Sequence, residues 1–394
     1  MSIKKTIGKI HLWLGFASGL VVIFLGITGC ILAFQREIEL ITIPYQFVEK
    51  QSKPFLPPSA IKQITDKALP DKPVHGITYG GPEKSVVASF YNNTYYYQVY
   101  INPYTGEVLK IKNMADDFFR IVINGHFYLW LPPEIGQPIV ASATLIFVVM
   151  MITGIILWWP KNKAARKQRF SVKWNAKWRR INYDLHNVLG FYMTWVAIFI
   201  AVTGLVMGFQ WFAKSVYWTT SGGKQMTPFY MPVSDTLSQA KLNAPAVDLL
   251  WVKMTREYPS VKTLEVHIPE NTSDAIEVAA NPDDDTYWKA DYRYFDQYTL
   301  KEVPVTHLYG QLKNTSVADK IARMNYDIHV GAIAGLPGKI MAFVASFICA
   351  SLPVTGIYIW WGRRKKEKGE KASAKKNNLQ KSKAPTRKTS AVGV

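Results

Sequence analysis

The sequence predicts a membrane protein of four transmembrane α-helices in two parallel repeats, each half carrying a small α+β domain outside the bilayer. Three observations predict it. Four apolar windows, about 10–34, 139–159, 188–213 and 339–362, are long enough to cross a hydrocarbon core, which takes about 20 residues. Basic residues gather in three segments that this topology puts on one side. The two halves of the chain also repeat each other at fixed spacing.

Charge sets the orientation. The 394 residues carry a formal +19, and segments 1–10, 160–180 and 361–394 hold 24 of the 47 Lys and Arg against two acids, Glu367 and Glu370. The positive-inside rule then places both termini and the loop 161–181 in the cytoplasm. The polar blocks 35–125 and 214–325 fall outside. Trp158–Trp159 and Trp360–Trp361 stand where helices meet the basic segments, as interfacial anchors do. The positive excess therefore points to the lipid bilayer, and no nucleic-acid partner is expected. The Lys/Ser/Ala-rich tail, 363–394, is expected to be disordered.

Helix 1 spans 1–34. Its apolar run is too long for an ordinary signal peptide, and no small-x-small cleavage site follows. "ITGC" (27–30) resembles a lipoprotein box, but Thr-Gly recurs without Cys at 153–154, 203–204 and 355–356, which suggests helix packing through small residues. The only cysteines, Cys30 and Cys349, fall inside expected helices, so no disulfide framework is implied, and no C-x-x-C-H is present.

The first outer block (35–125) should hold a short helix at about 58–68 and a hairpin over "YYYQVYINPYTGEVL" (95–109). An interfacial segment and helix 2 follow (126–160), then helix 3 (182–213). The second outer block (214–325) should hold a helix at about 234–242 and a strand-turn-strand over 291–303. A second interfacial segment and helix 4 occupy 326–362. Aligning His11 with His186 superposes Leu14-Gly15-Phe16 on Leu189-Gly190-Phe191, and Thr28-Gly29 on Thr203-Gly204. "ITGIILWWP" (152–160) likewise matches "VTGIYIWWG" (354–362).

Four histidines follow the repeat. His11 and His186 open helices 1 and 3 at the cytoplasmic face; His126 and His329 precede helices 2 and 4 at the outer face. Symmetry pairs His11 with His186 and His126 with His329. Ionisable residues at membrane depth are functional candidates. Two facing imidazoles fall two ligands short of a zinc site, whereas haem supplies four equatorial nitrogens and needs only two axial ligands. Two non-covalent b-type haems, each bis-His, are expected. Asp184 and Asp327, two residues before their histidines, could cap a helix or accept an imidazole N–H. Arg120 and Arg323 lie six residues before His126 and His329, outside the reach of the positive-inside rule, and are candidate partners for haem propionates. His75, His267 and His307 have no symmetric counterparts and are expected at the surface or on the substrate side.

The motifs "KIHLWLGFASGL", "INPYTGEVL", "ITGIILWWP", "DLHNVLGF" and "DIHVGAIAGLPGK", in this order, make the chain resemble the PepSY-associated transmembrane family over nearly its whole length. That resemblance implies a bacterial inner-membrane protein linked to iron uptake, similar to ferric-siderophore reductases that carry two haems and deliver electrons to the periplasm. The family's haem histidines fall on His11, His126, His186 and His329. Gly125-His126 departs from the usual Leu-His context. The implied partners are a periplasmic ferric siderophore or other ferric chelate and a cytoplasmic or membrane electron donor. No G-x-G-x-x-G fingerprint identifies that donor, and no catalytic acid, base or nucleophile is expected. Two other functions fit the same sequence: a membrane-anchored PepSY protein that binds or senses a ligand, and a transporter built on the repeat. The absence of a mid-membrane acid speaks against proton or cation coupling.

Overall fold

The computed structural model describes residues 3–160, 162, 163, 166, 169–238 and 241–382. The chain runs α1 (Ile3–Ala33), α2 (Gln35–Thr42), α3 (Pro58–Ala68), β1 (Gly76–Tyr79), β2 (Val86–Tyr91), β3 (Tyr96–Ile101), β4 (Val108–Asn113), α4 (Phe118–Tyr128) and α5 (Pro133–Trp158). A second pass follows in similar order: α6 (Trp178–Gly208), α7 (Gln210–Thr220), α8 (Ala246–Glu257), β5 (Thr263–His267), β6 (Ile276–Asn281), β7 (Asp291–Phe295), α9 (Val317–His329) and α10 (Gly335–Ser382).

Among the described residues, four stretches are long and apolar enough to cross a membrane: α1, α5, α6 and Ala332–Lys366, most of it in α10. Their apolar residues continue onto outward faces, where Leu20, Phe199 and Phe347 are exposed, as suits helices surrounded by lipid. α1 packs between α5 and α10, and α6 packs between the same two, so α1 and α6 share a diagonal. Glycine makes the closest of these approaches possible. A Cβ on Gly26 would stand 2.8 Å from both Ala350 Cβ and the Ser346 carbonyl oxygen. Gly26→Val should therefore force α1 off α10 and cost about 1–3 kcal/mol by overpacking. Chemical unfolding in detergent measures this; a midpoint unchanged from wild type would show the contact is not tight.

Outside the bundle stands one antiparallel sheet of order β4-β3-β2-β1-β5-β6-β7. The sequence suggests two small α+β domains. Instead, the blocks join edge to edge where β1 pairs with β5, Ile77 opposite Val266. The physical reason is the edges themselves: each half alone would leave a row of unpaired N–H and C=O groups. α3 and α8 cover one face. Ile61, Ile77, Phe90 and Val99 form one core, Leu250, Met254, Val266 and Phe295 the other, and Trp251 packs on both. By strand alternation the opposite face carries Tyr91, Tyr96, Tyr100, Glu265, His267, Glu277, Tyr292 and Tyr294. It turns toward α4 and α9, whose Arg120 and Arg323 lie over the rings of Tyr96 and Tyr292.

Two other expectations need correction. Residues 234–238 are not helical; the helix lies at α8 instead. Ser234 donates to the Asp274 carbonyl, and Asp235 accepts from the Leu237 N–H. Such side-chain bonds compete with helix formation. The basic tail is helical through Ser382, since Lys, Ala, Glu and Gln are strong helix formers; residues 383–394 lie outside the described residues.

A charged cluster ties the sheet to the bundle. Lys339, near the start of α10 and 5 % exposed, lies 2.7 Å from Glu37 and 2.9 Å from Asp285. Arg36 reaches Asp284 at 3.1 Å and Asp285 at 2.5 Å. Asp284 and Asp285 sit in the β6–β7 loop, so α2, α10 and the sheet meet at these five side chains.

Candidate functional site

Two tight turns set the site. After α4 the chain passes through Leu129 and Trp130 in left-handed conformation, at φ 55° and 58°. The start of α5 then packs so closely that a Cβ on Gly136 would fall 2.0 Å from the Tyr128 carbonyl oxygen. After α9 the chain turns at Gly331, φ 79°, and a Cβ on Gly338 would fall 2.1 Å from the Gly331 carbonyl oxygen. These turns fold α4 and α9 back so that His126 and His329 line a pocket to which all four long helices contribute. Its walls are apolar, with Val22, Leu25, Phe127, Val140, Ile200 and Ala345 among them.

Each of the four histidines meets one Thr-Gly pair. The Nδ1 atoms of His11, His126, His186 and His329 lie 2.9, 2.8, 2.8 and 3.0 Å from the Oγ1 atoms of Thr153, Thr28, Thr355 and Thr203. A Cβ on the following Gly154, Gly29, Gly356 or Gly204 would stand 3.3–3.6 Å from Cε1 of the same ring. Among the described residues, no hydrogen bond engages Nε2 of any of the four. His11 and Thr28 are 17 residues apart on α1, as are His186 and Thr203 on α6. At about 1.5 Å per residue the histidines therefore occupy two levels roughly 25 Å apart, one near each end of the bundle.

The rings of His126 and His329 lie edge to face with centroids 6.2 Å apart and planes at 68°. Two imidazoles opposed across one metal, each bonded at about 2 Å, place their centroids roughly 6 Å apart. Burial, with a smaller push from His329, holds His126 down to about 3, and burial holds His329 down to about 4. Both rings are thus neutral near pH 7, the form that ligates a metal. Among the described residues, no group of three or more His, Cys, Asp or Glu is placed to hold an ion. The site offers a metal two imidazoles and an apolar enclosure, which fits a group that brings its own equatorial donors.

Other candidates are placed differently. His11 and His186 lie two turns inside their helices, because α1 and α6 begin earlier than the apolar windows. Asp184 and Asp327 neither cap a helix nor touch their histidines. Arg180 Nε donates to Asp184 at 2.9 Å, while fully buried Asp327 accepts the N–H groups of Tyr287 and Trp288 and anchors α9 to the sheet. Arg120 is exposed over Tyr96; Arg323 is buried, donating to the carbonyls of Ala290 and Gly310. Arg323 is committed to the sheet, although its Nε has no partner. His75 and His267 meet, His75 Nε2 lying 3.2 Å from His267 Nδ1 and 2.6 Å from the Tyr91 hydroxyl. His307 is buried among Phe229, Tyr230 and Tyr294.

The sequence reading missed the threonines, whose signal was the recurrence of Thr-Gly with the histidines. It also missed Asn182 and Asn325, four residues before His186 and His329. Their side-chain amides donate to the carbonyls of Thr355 and Thr203, each at 3.1 Å. The repeated Asn-Tyr-Asp-x-His phrase therefore grips one threonine twice, through its carbonyl and its hydroxyl.

No curated protein matches the chain. The family described as the PepSY-associated TM region matches residues 9–363. Four apolar helices beneath an antiparallel sheet suit a multi-pass membrane protein of that kind, and the chain belongs to the PepSY-associated transmembrane family.

Proposed function

We propose that this protein is a di-haem electron-transfer protein that reduces a ferric chelate, a ferric-siderophore reductase of iron uptake. It would sit in a bacterial inner membrane with its termini cytoplasmic and its sheet periplasmic. The observation that carries the reading is the pair of imidazoles, His126 and His329, with ring centroids 6.2 Å apart in the lining of one apolar cavity. His11 and His186 would form the second ligand pair, about 25 Å away along a hydrocarbon core about 30 Å thick. Haem bound at the two levels supplies one-electron redox chemistry. The chain's own contribution is to hold four imidazoles at set depths, to exclude water with apolar walls and to present a tyrosine-rich sheet face above the outer pair. One electron from a cytoplasmic or membrane donor converts one Fe(III) to Fe(II), and the oxygen-donor chelate then binds iron less tightly. The concentration of Lys and Arg in segments 1–10, 160–180 and 361–394, rather than in the blocks that carry the sheet, supports this orientation.

Pyridine haemochrome assay of detergent-purified protein should approach two haems per chain. In proteoliposomes loaded with reductant, an external ferric chelate should be reduced without iron crossing. A colourless preparation from haem-sufficient cells would remove the basis of the reading.

A further inference from the structure

We infer that the four Thr-Gly pairs are tautomer clamps, with Thr28, Thr153, Thr203 and Thr355 as positioning residues that keep the proton of each histidine on Nδ1 and leave the Nε2 lone pair free for iron. The inference rests on the haem reading for its purpose and on hydrogen-bond accounting for its substance.

A threonine hydroxyl has one proton to give. In all four cases that proton has a taker in the helix's own backbone. Thr28, Thr153, Thr203 and Thr355 donate to the carbonyls of Phe24, Val149, Phe199 and Ser351, at 2.8, 2.9, 2.7 and 3.1 Å. With the proton spent there, each hydroxyl offers its histidine a lone pair, and Nδ1 is the donor in the arrangement that uses every one of these contacts. His329 adds an independent proof of direction, because its Nδ1 also lies 2.9 Å from the Ile200 carbonyl oxygen, which can only accept. Back-bonding by threonine is ordinary in buried helices. Four such hydroxyls each within 3.0 Å of an imidazole, on two helices from each half, is not an ordinary consequence of it. The glycine after each threonine completes the clamp, since any side chain there would press on Cε1 of the ring. Asn182 and Asn325 then fix the backbone of Thr355 and Thr203.

A bond accepted from the ring's second N–H makes an imidazole a more basic ligand, which favours the ferric state and lowers the potential. The outer pair contains its own control. Among the described residues His126 Nδ1 bonds Thr28 alone, whereas His329 keeps the Ile200 carbonyl if Thr203 is lost. Thr28→Val is nearly isosteric and should raise the midpoint potential of the outer haem. Thr203→Val should raise it less, and Thr28→Ser, which keeps the hydroxyl, should restore the wild-type value. An unmoved potential in Thr28→Val, equal shifts in the two valine variants, or failure of serine to rescue would overturn the clamp. A second readout needs no haem. In haem-free protein labelled with 15N-histidine, the resonance lost in His126→Gln should show Nδ1 protonated and Nε2 bare; the opposite tautomer would overturn the inference. A wild-type protein that took up no haem would end the reductase reading and leave this second test standing.

Discussion

Replacing His329 by alanine is expected to remove one of two haem spectral components and to abolish reduction of an external ferric chelate. The ring stands 6.2 Å from that of His126, and its Nδ1 is held by both Thr203 and the Ile200 carbonyl. Loss of a hydrogen-bond partner around a metal ligand typically costs about 10–100-fold in affinity or activity; loss of the ligand itself should exceed that and leave electron delivery at background. His126→Ala should remove the same component. In both variants the inner component should still be reducible from inside, because the break lies beyond it. His11→Ala and His186→Ala should show the converse, an intact outer component that the internal reductant cannot reach. Redox-difference spectra of the four variants decide the pairing. If His11→Ala and His329→Ala deleted the same component, the two-level arrangement would be wrong.

Lys339→Ala should destabilise the junction between bundle and sheet by about 1–3 kcal/mol: Lys339 is buried, but its partners Glu37 and Asp285 are about a third exposed, which keeps the loss below that of a fully buried ion pair. Lys339 is 5 % exposed and is the only described cation within bonding reach of Glu37. Its removal leaves Glu37, a third exposed but with its second oxygen buried and unpartnered, without a counter-charge. Asp285 would keep Arg36 alone. A sign follows for pH. Burial pushes the Asp285 carboxyl up, but Lys339 and Arg36 outweigh that and hold it below its ordinary value. Its contribution is then fully present above the unfolded carboxylate pKa of about 4 and is lost as pH falls through the lower folded value. Unfolding midpoints in detergent from pH 7 to pH 3 should converge for wild type and Lys339→Ala at the acid end. Parallel curves over that range would show that the cluster does not hold the junction.

Local chemistry made much of this legible in the sequence. Unbroken apolar runs give the helices, alternating aromatic strands around Asn-Pro-Tyr-Thr-Gly give a hairpin, and the recurring histidine marks two depths in the bundle. What stayed hidden depends on residues far apart in the chain. Thr28 meets a histidine 98 residues away and Thr153 one 142 residues away, and neither partner marks the other, so Thr-Gly reads only as close helix packing. The β1–β5 pairing joins segments nearly 190 residues apart, and each strand looks complete within its own half. Asp184 and Asp327 mislead because proximity in sequence to a histidine is not proximity of side chains on a helix, where i and i+2 point apart. The misplaced helix has the same origin. Residues 234–242 carry adequate propensity, but the Asp235 backbone N–H donates to the Asp296 carboxylate, and the helix that forms begins just after Pro245.

The central seam of the sheet also constrains how the molecule is made. Until β5 exists, β1 is an edge strand with open hydrogen-bonding groups on one side, flanked by Ile77 and Tyr79, which are buried in the finished protein. Translation proceeds at about 5–20 residues per second, so this edge waits on the order of 10–40 seconds for its partner. During that interval the chain must also pass through the bilayer twice more. An open strand of this kind is a template for pairing with the wrong chain. Biogenesis rather than the finished fold is thus the stage at which this protein is most exposed to aggregation, and a ribosome stalled before residue 263 would display the vulnerable species.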